Sequence, residues 1–529
     1  MFTATGDDWA DRAATLPLHT RMFIGGAWEE GSAEPLTPVA PRDGRALPKI
    51  SAASVGDVDR AVRSARAAFD SGVWSRIAPR ERGQLLIAFA QRIHDNAEEL
   101  ALTISLEMGK PVREALQTEL RAVVNCFRWY GEAADKILDE IPVTAPGSLA
   151  LVTREPAGVV AAVVPWNFPL TMTAWKLAPA LAVGNSVVLK PAEHTTFSAL
   201  RLAELAHEAG IPAGVLNITP GTGQVAGRAL GEHHDVDVVT FTGSPEVGRK
   251  FLGYSAASNG KRVWPELGGK TASLVLPDAD LERAVRATAD GCFYNQGQMC
   301  TASSRLLVPR AQRDRALEIA ADVARTSLPA DPFEVTTSMG AIVSERQLAG
   351  ITGFVERAQA EGGELAAGSA ERFHAVDGGS YFAPVVLGVT PQHEVAQREV
   401  FGPVLSVIAY DDVEDALAIA NGTEFGLAAA LWSTDLNAVH TLSRRLRAGV
   451  VWVNCFEEGD MTIPFGGVKG SGFGRDKSLH ALEKFTDLKT TWIELSGRPA
   501  PLPRRRPRRP GERRGRHARL PRSGHRLHR

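Results

Sequence analysis

Apolar positions along the chain follow two periods in alternation. From Asp57 to Asp70, the residues Val58, Ala61, Val62, Ala65, Ala68 and Phe69 share one face at helical spacing. The same spacing predicts a helix from about Arg80 to Met108, with Leu85, Leu86, Phe89 and Ile93 inward and Gly109 and Pro111 as stops. Short, nearly continuous apolar runs follow at Gly158 to Val164, Ser186 to Leu189, Asp237 to Phe241 and Ala272 to Leu276. Each is closed by Pro or Gly, and helical patterns such as Ser198 to Ala209 lie between several of them. A second series comprises Arg305 to Val308, a helix near Gln312 to Arg325, Val404 to Ile408 and Val450 to Val453. Strands that are apolar on both faces and separated by helices predict parallel sheets covered on both sides. The expected fold class is therefore α/β, with two doubly wound domains. Leu149 to Arg154 and Lys489 to Leu495 fit neither series. They read as lone strands that pair with each other or with a neighbouring subunit.

Composition narrows the class. A chain of 529 residues that is 44% hydrophobic buries a sizeable core without disulfide staples. No apolar run is long enough to span a membrane, and Met1 to Thr20 lacks the basic flank and apolar stretch of a signal peptide. A cytoplasmic location is expected. The four cysteines, Cys126, Cys292, Cys300 and Cys455, form no C-x-x-C pair, so neither a metal site nor a disulfide framework is expected. The net charge of −2 hides two opposite parts. Residues 498–529 hold 13 Arg, no Lys and one acid, giving +12 and leaving −14 on the body. Such a tail binds phosphate, but it lacks aromatics for base stacking, so nucleic acid is not expected as a partner. It reads as a disordered appendage, with out-of-frame or read-through translation of a GC-rich gene preferred over a selected function.

Seven segments can carry chemistry. Pro165-Trp166-Asn167-Phe168-Pro169 directly follows a buried strand, where α/β sheets bind ligands. Asn167 is either an oxyanion donor or a turn cap. Lys190-Pro-Ala-Glu193 follows the next strand and offers ribose contacts or a solvated turn. Phe241-Thr-Gly243-Ser244-Pro-Glu-Val247 opens a helix after a strand, a pattern that suits phosphate. Gly221-Thr-Gly223-Gln-Val-Ala226 competes as a loose dinucleotide fingerprint, weakened by the lack of a following acid. In Trp264-Pro-Glu266-Leu267-Gly268-Gly269, Glu266 lies among apolar residues, which suits a general base or a structural ion pair. Gln296-Gly-Gln-Met299-Cys300 sets a cysteine in polar surroundings, unlike Cys292 on the helical side. Its activation must come from a helix end or a nearby base. Glu399-Val-Phe401-Gly-Pro403 leads into a strand, and the glycines of Pro464-Phe465-Gly466-Gly467 suggest tight loops near a site.

In order and spacing, these segments resemble the aldehyde dehydrogenase superfamily from about Thr20 to Leu495. Lys261-Arg-Val-Trp264, Glu458-Gly-Asp460-Met-Thr462 and Gly474 to Phe485, together with the Trp9 region, look most like bacterial γ-glutamyl-γ-aminobutyraldehyde dehydrogenases of putrescine breakdown. The resemblance implies oxidation of an aldehyde to an acid, with Cys300 as nucleophile, Asn167 as oxyanion donor and Glu266 as base for the second substrate, water. It places the dinucleotide along Pro165, Trp166, Lys190, Glu193, Gly223, Phe241, Gly243, Ser244, Val247, Leu267, Glu399 and Phe401. Glu193 at the ribose favours NAD, with some NADP use. Phe168, Met172, Trp175, Tyr294, Met299 and Phe465 are expected to line an aromatic tunnel, with Glu457, Glu458 and Asp460 near its mouth. That acidic mouth favours an amino-aldehyde such as γ-glutamyl-γ-aminobutyraldehyde. A broad-specificity or betaine-type enzyme, and then a non-redox cysteine hydrolase, are the alternatives. The implied organisation is a dinucleotide domain at 1–138 and 157–267, a catalytic domain at 268–482, and oligomerisation strands at 139–156 and 483–497 of a dimer or homotetramer.

Overall fold

The computed structural model describes residues 9–495, so the arginine-rich tail lies outside the described residues. These residues form two compact units. The larger comprises residues 9–138 and 154–487, and the smaller comprises 139–153 and 488–495.

The larger unit holds two seven-stranded sheets. In the first, the strand order is Arg262–Leu267, Val238–Gly243, Val159–Val163, Ser186–Lys190, Leu216–Ile218, Met22–Ile24 and Ala27–Glu29. The first five are parallel, and the last two join antiparallel. The chain leaves Val159–Val163 toward Ser186–Lys190 and returns on its other side at Val238–Gly243. That reversal opens a crevice at the carboxyl ends of the strands. The second sheet runs Glu364–Ala367, Val385–Gly388, Val404–Tyr410, Arg305–Pro309, Ala272–Val275, Ala428–Trp432 and Val450–Val453. It is parallel except for its first pair.

The central strands are buried on both faces, which explains their unbroken apolar runs. Helix Val55–Ser71 starts at a capping box made by Ser54 and Asp57 and ends at Gly72 with φ +79°. The long helix expected from Arg80 to Met108 is two helices, Pro79–Asp95 and Ala97–Met108. Asn96 divides them, its side-chain amide donating to the Arg92 carbonyl at 2.8 Å and its backbone turned to φ −111°, ψ 19°. The second helix is buried on all sides from Leu100 to Met108, so its apolar run hides the break from a reading of periodicity.

Ser148–Pro156 and Thr486–Glu494 pair with each other in a two-stranded sheet, of which 148–153 and 488–494 belong to the smaller unit. Leu495 N–H donates to the Gly147 carbonyl at 2.8 Å. Nearly every residue of Thr486–Glu494 is exposed, Leu488 and Trp492 included.

Candidate active site

Four of the chemistry-bearing segments leave the carboxyl ends of adjacent strands in the first sheet. Val159–Val163 leads to Trp166 and Asn167, Ser186–Lys190 ends on Lys190, Val238–Gly243 precedes Ser244, and Arg262–Leu267 carries Glu266. The second sheet contributes from loops that enter its strands. Cys300 precedes Arg305–Pro309, and Glu399 and Phe401 precede Val404–Tyr410.

These residues bound two cavities. One, of about 620 Å³, is walled by Phe168, Met172, Trp175, Tyr294, Met299, Phe456 and Phe465 and carries the acids Glu119, Asp290 and Glu457. The other, of about 260 Å³, is lined by Pro165, Trp166, Asn167, Gly243, Ser244, Glu266, Leu267, Gln347, Glu399 and Phe401. Cys300, Phe168 and Met172 line both. The thiol therefore stands where the tunnel and the crevice meet.

The segment before Cys300 is locally strained. Asn295, Gln296 and Gly297 have φ of +50°, +59° and +67°. At Gly297 a Cβ would sit 2.1 Å from the Gly402 carbonyl carbon, so the position admits only glycine. Asn295 fixes the turn by donating to the carbonyls of Asn167 (3.1 Å) and Gln298 (3.0 Å). Asn167 is 5% exposed, and its amide donates to the Gln298 carbonyl at 3.0 Å. Lys110, buried beside Glu119, also donates to the Asn167 carbonyl at 3.1 Å. Glu119 in turn accepts the N–H groups of Leu170 and Thr171, anchoring the start of helix Pro169–Ala182. Lys110 and Glu119 escaped the sequence reading because a Lys between Gly109 and Pro111, and a Glu in a run of mixed polarity, look like ordinary solvated side chains.

Electrostatics sort the groups. Burial pushes the Glu266 carboxyl up to about 7; Lys176 opposes this and Asp476 adds to it. Neither Glu266 oxygen makes a hydrogen bond, although the Thr242 hydroxyl lies near enough to ease ionisation. Burial, then the charges of Glu266, Glu457 and Glu399, hold the Cys300 thiol well above its ordinary value. Glu399 is raised to about 7 by burial, against the Gly269 N–H that it accepts at 2.9 Å. Cys126 and Cys292 are fully buried, and burial raises both thiols.

The second cavity has polar groups and close backbone to suit one end of a dinucleotide, its volume of about 260 Å³ being too small for the whole molecule. Gly268 has no room for a Cβ, which would lie 2.1 Å from Glu399, and the orphaned Thr242 hydroxyl and Glu266 carboxylate both line the crevice. Lys190, Glu193 and Gly223 form a separate group. Lys190 Nζ lies 3.5 Å from Glu193, which accepts the Gly223 N–H at 2.7 Å. Phe241 and Val247 are not among the lining residues. The Phe241 ring packs over Gly243, and Val247 N–H caps onto Ser244. Asp460 does not line the tunnel either; its carboxylate accepts Thr462 N–H at 2.7 Å. Among the described residues, no group of His, Cys, Asp and Glu is placed to hold a metal ion.

Residues 28–491 match the aldehyde dehydrogenase family model. The chain belongs to that family. It is 45% identical, over 92% of its length and 98% of the relative's, to the NADP/NAD-dependent aldehyde dehydrogenase PuuC of Escherichia coli strain K12. Among solved structures, it is 49% identical to γ-glutamyl-γ-aminobutyraldehyde dehydrogenase from Burkholderia cenocepacia, with a TM-score of 0.90 over 92% of this chain and 99% of that one. It is 48% identical to the P. syringae indole-3-acetaldehyde dehydrogenase AldA in complex with NAD+ and IAA, with a TM-score of 0.92 over 93% and 100%. The chain is an NAD(P)-dependent aldehyde dehydrogenase. Among the described residues, no helix of this aldehyde dehydrogenase is long and apolar enough to cross a membrane.

Proposed function

We propose that Cys300, Glu266 and Asn167 oxidise an amino-aldehyde to its acid, with NAD preferred over NADP. The observation that carries the reading is the position of Cys300 on the wall shared by both cavities. An aldehyde enters through the aromatic tunnel, and the dinucleotide takes the crevice. Its holders are Trp166, Ser244, Leu267, Glu399 and Phe401, with Lys190 and Glu193 at a ribose. A carboxylate at the 2′-hydroxyl accepts a hydrogen bond from NAD and repels the 2′-phosphate of NADP.

The thiol is held protonated, so a base must take its proton before attack. Glu266, close to neutral in pKa and free of hydrogen bonds, is that base. The Cys300 sulfur bonds to the aldehyde carbon, and the carbonyl oxygen becomes an oxyanion. Asn167 Nδ2 has two hydrogens. Gln298 holds one, and the other is left for the oxyanion beside the Cys300 backbone N–H. When bound, the dinucleotide supplies the acceptor for the hydrogen and electron pair lost from that carbon. A thioester on Cys300 remains. Glu266 gives up the thiol's proton to solvent and, ionised again, removes a proton from water, whose oxygen attacks the thioester; the carbon–sulfur bond breaks to release the acid and leave the Cys300 thiolate, which takes a proton back.

Glu457 supports an amino-aldehyde because it places a carboxylate on the tunnel wall. The proposed organisation keeps 1–138 and 157–267 for the dinucleotide and 268–482 for the thiol. The exposed strands at 139–156 and 483–497 would join copies into a dimer or tetramer. The test is reduction of NAD and NADP with γ-glutamyl-γ-aminobutyraldehyde, 3-aminopropanal, betaine aldehyde and propanal. Amino-aldehydes are expected to give the highest kcat/KM, and Cys300→Ala to lose more than about a thousandfold on all of them. Equal rates on all four aldehydes would overturn the substrate reading, and retained activity in Cys300→Ala would overturn the mechanism.

A further inference from the structure

The buried ammonium of Lys110 meets three groups at once. It pairs with Glu119, donates to the Asn167 carbonyl at 3.1 Å and lies 3.8 Å from the centroid of the Phe168 ring. Local structure brings this lysine inside. Helix Ala97–Met108 ends on Gly109 with φ +81°, and the Ser105 hydroxyl donates to the Lys110 carbonyl at 2.6 Å, which pins the turn. Glu119 follows in the helical segment Ala115–Leu120. One of its oxygens holds Lys110, and the other accepts the N–H groups of Leu170 at 3.0 Å and Thr171 at 3.2 Å. All of these contacts fall between Asn167 and Thr171, the stretch that leads from the oxyanion amide into helix Pro169–Ala182. Stability does not account for such a pair, because apolar residues of similar volume usually hold a core at least as well. The Asn167 carbonyl also accepts from Asn295 at 3.1 Å, in the strained turn ahead of Cys300. It is therefore held from two sides, by Lys110 and by the turn that carries the thiol.

We propose that Lys110 is a positioning residue for the oxyanion site: held by Glu119, it fixes the Asn167 carbonyl and the Phe168 ring so that the Asn167 amide keeps its place beside Cys300. The inference rests on Asn167 being the oxyanion donor. Without the ammonium the Asn167 carbonyl keeps one donor, and the peptide plane that follows Asn167 is free to turn. A catalytic group displaced by about 1 Å can lose about a hundredfold in rate. The oxyanion exists only after the thiol has attacked, so the effect falls on rate more than on KM.

The experiment measures the single-turnover rate of cofactor reduction, and KM, on the aldehyde that the wild-type enzyme uses fastest. The variants are Lys110→Met and the pair Lys110→Met with Glu119→Gln, each made alone and again in an Asn167→Ala background. Glu119→Gln keeps an acceptor for Leu170 and Thr171 and leaves no unpaired buried charge, so the pair decides the matter if Lys110→Met alone does not fold. Loss of Lys110 is expected to lower the rate about tenfold or more with less than about a twofold change in KM, and to lower it less than about twofold in the Asn167→Ala background. An equal fold-loss in both backgrounds, a loss confined to KM, or no loss overturns the positioning role, because a purely structural pair acts without regard to the amide. An Asn167→Ala enzyme with an unchanged rate overturns the oxyanion reading and the positioning role together.

Discussion

Asn167 and Glu266 are both nearly inaccessible, yet burial acts on them in opposite ways. Asn167 is fixed by hydrogen bonds at its amide and its carbonyl, whereas the Glu266 carboxylate has none. A held amide suits a fixed oxyanion, and an unbonded carboxylate suits a proton that must come and go. Asn167→Ala is therefore expected to lower kcat by about 10²–10³-fold with a smaller change in KM, read from steady-state rates. For Glu266 the pKa of about 7 sets the pH profile. The active base is the ionised form, which dominates above pH 7, so kcat should fall as pH drops through 7. Glu266→Gln should flatten that limb and cost about 10²–10⁴-fold, with no burst of reduced cofactor because attack by the thiol is slowed as well. At this scale the sequence was informative. An acid among apolar residues and a cysteine among amides both indicate their environments. Asp460 was not legible, because an acidic run does not say which of its members faces a tunnel.

The elements that place these residues depend on contacts distant in sequence. The turn Asn295–Gly297 aims Cys300 only because Gly402 leaves no room beside Gly297. Gly297→Ala is expected to destabilise by more than the ~1 kcal/mol of an ordinary Gly-to-Ala strain, seen as a lower Tm and a parallel loss of activity. Helix Pro169–Ala182, which carries Met172 and Trp175, is anchored at its start by Glu119, and Glu119 is neutralised by Lys110. Lys110→Met leaves a buried carboxylate unpaired and should cost about 3–5 kcal/mol in denaturant unfolding. Lys110→Met with Glu119→Leu should recover part of it. The strand pattern forecast the sheets because a strand buried on both faces must be apolar throughout. The break at Asn96 was hidden because the second helix, buried on all sides from Leu100 to Met108, is largely apolar and so extends the pattern of the first.

For the whole molecule, the smaller unit carries the consequence. Leu488 and Trp492 are exposed on a nine-residue strand. Such an apolar edge favours a second chain. Trp492→Asp is expected to reduce the assembled mass in light scattering. Full-sized particles from Trp492→Asp would overturn the oligomerisation role. Deleting residues 498–529 is expected to leave both the number of subunits and kcat/KM unchanged.

By itself the sequence determined the class of fold, the motifs and the chemistry they can support, because periodicity, glycine placement and residue type are local properties. Tertiary structure alone decided that the motifs of the two sheets share one crevice and that two cavities meet at Cys300. It also set Lys110 against the Asn167 carbonyl. Those juxtapositions join residues tens to hundreds of positions apart. Burial and charge act through space, so no local pattern in the chain encodes which distant side chain will neutralise, crowd or face another.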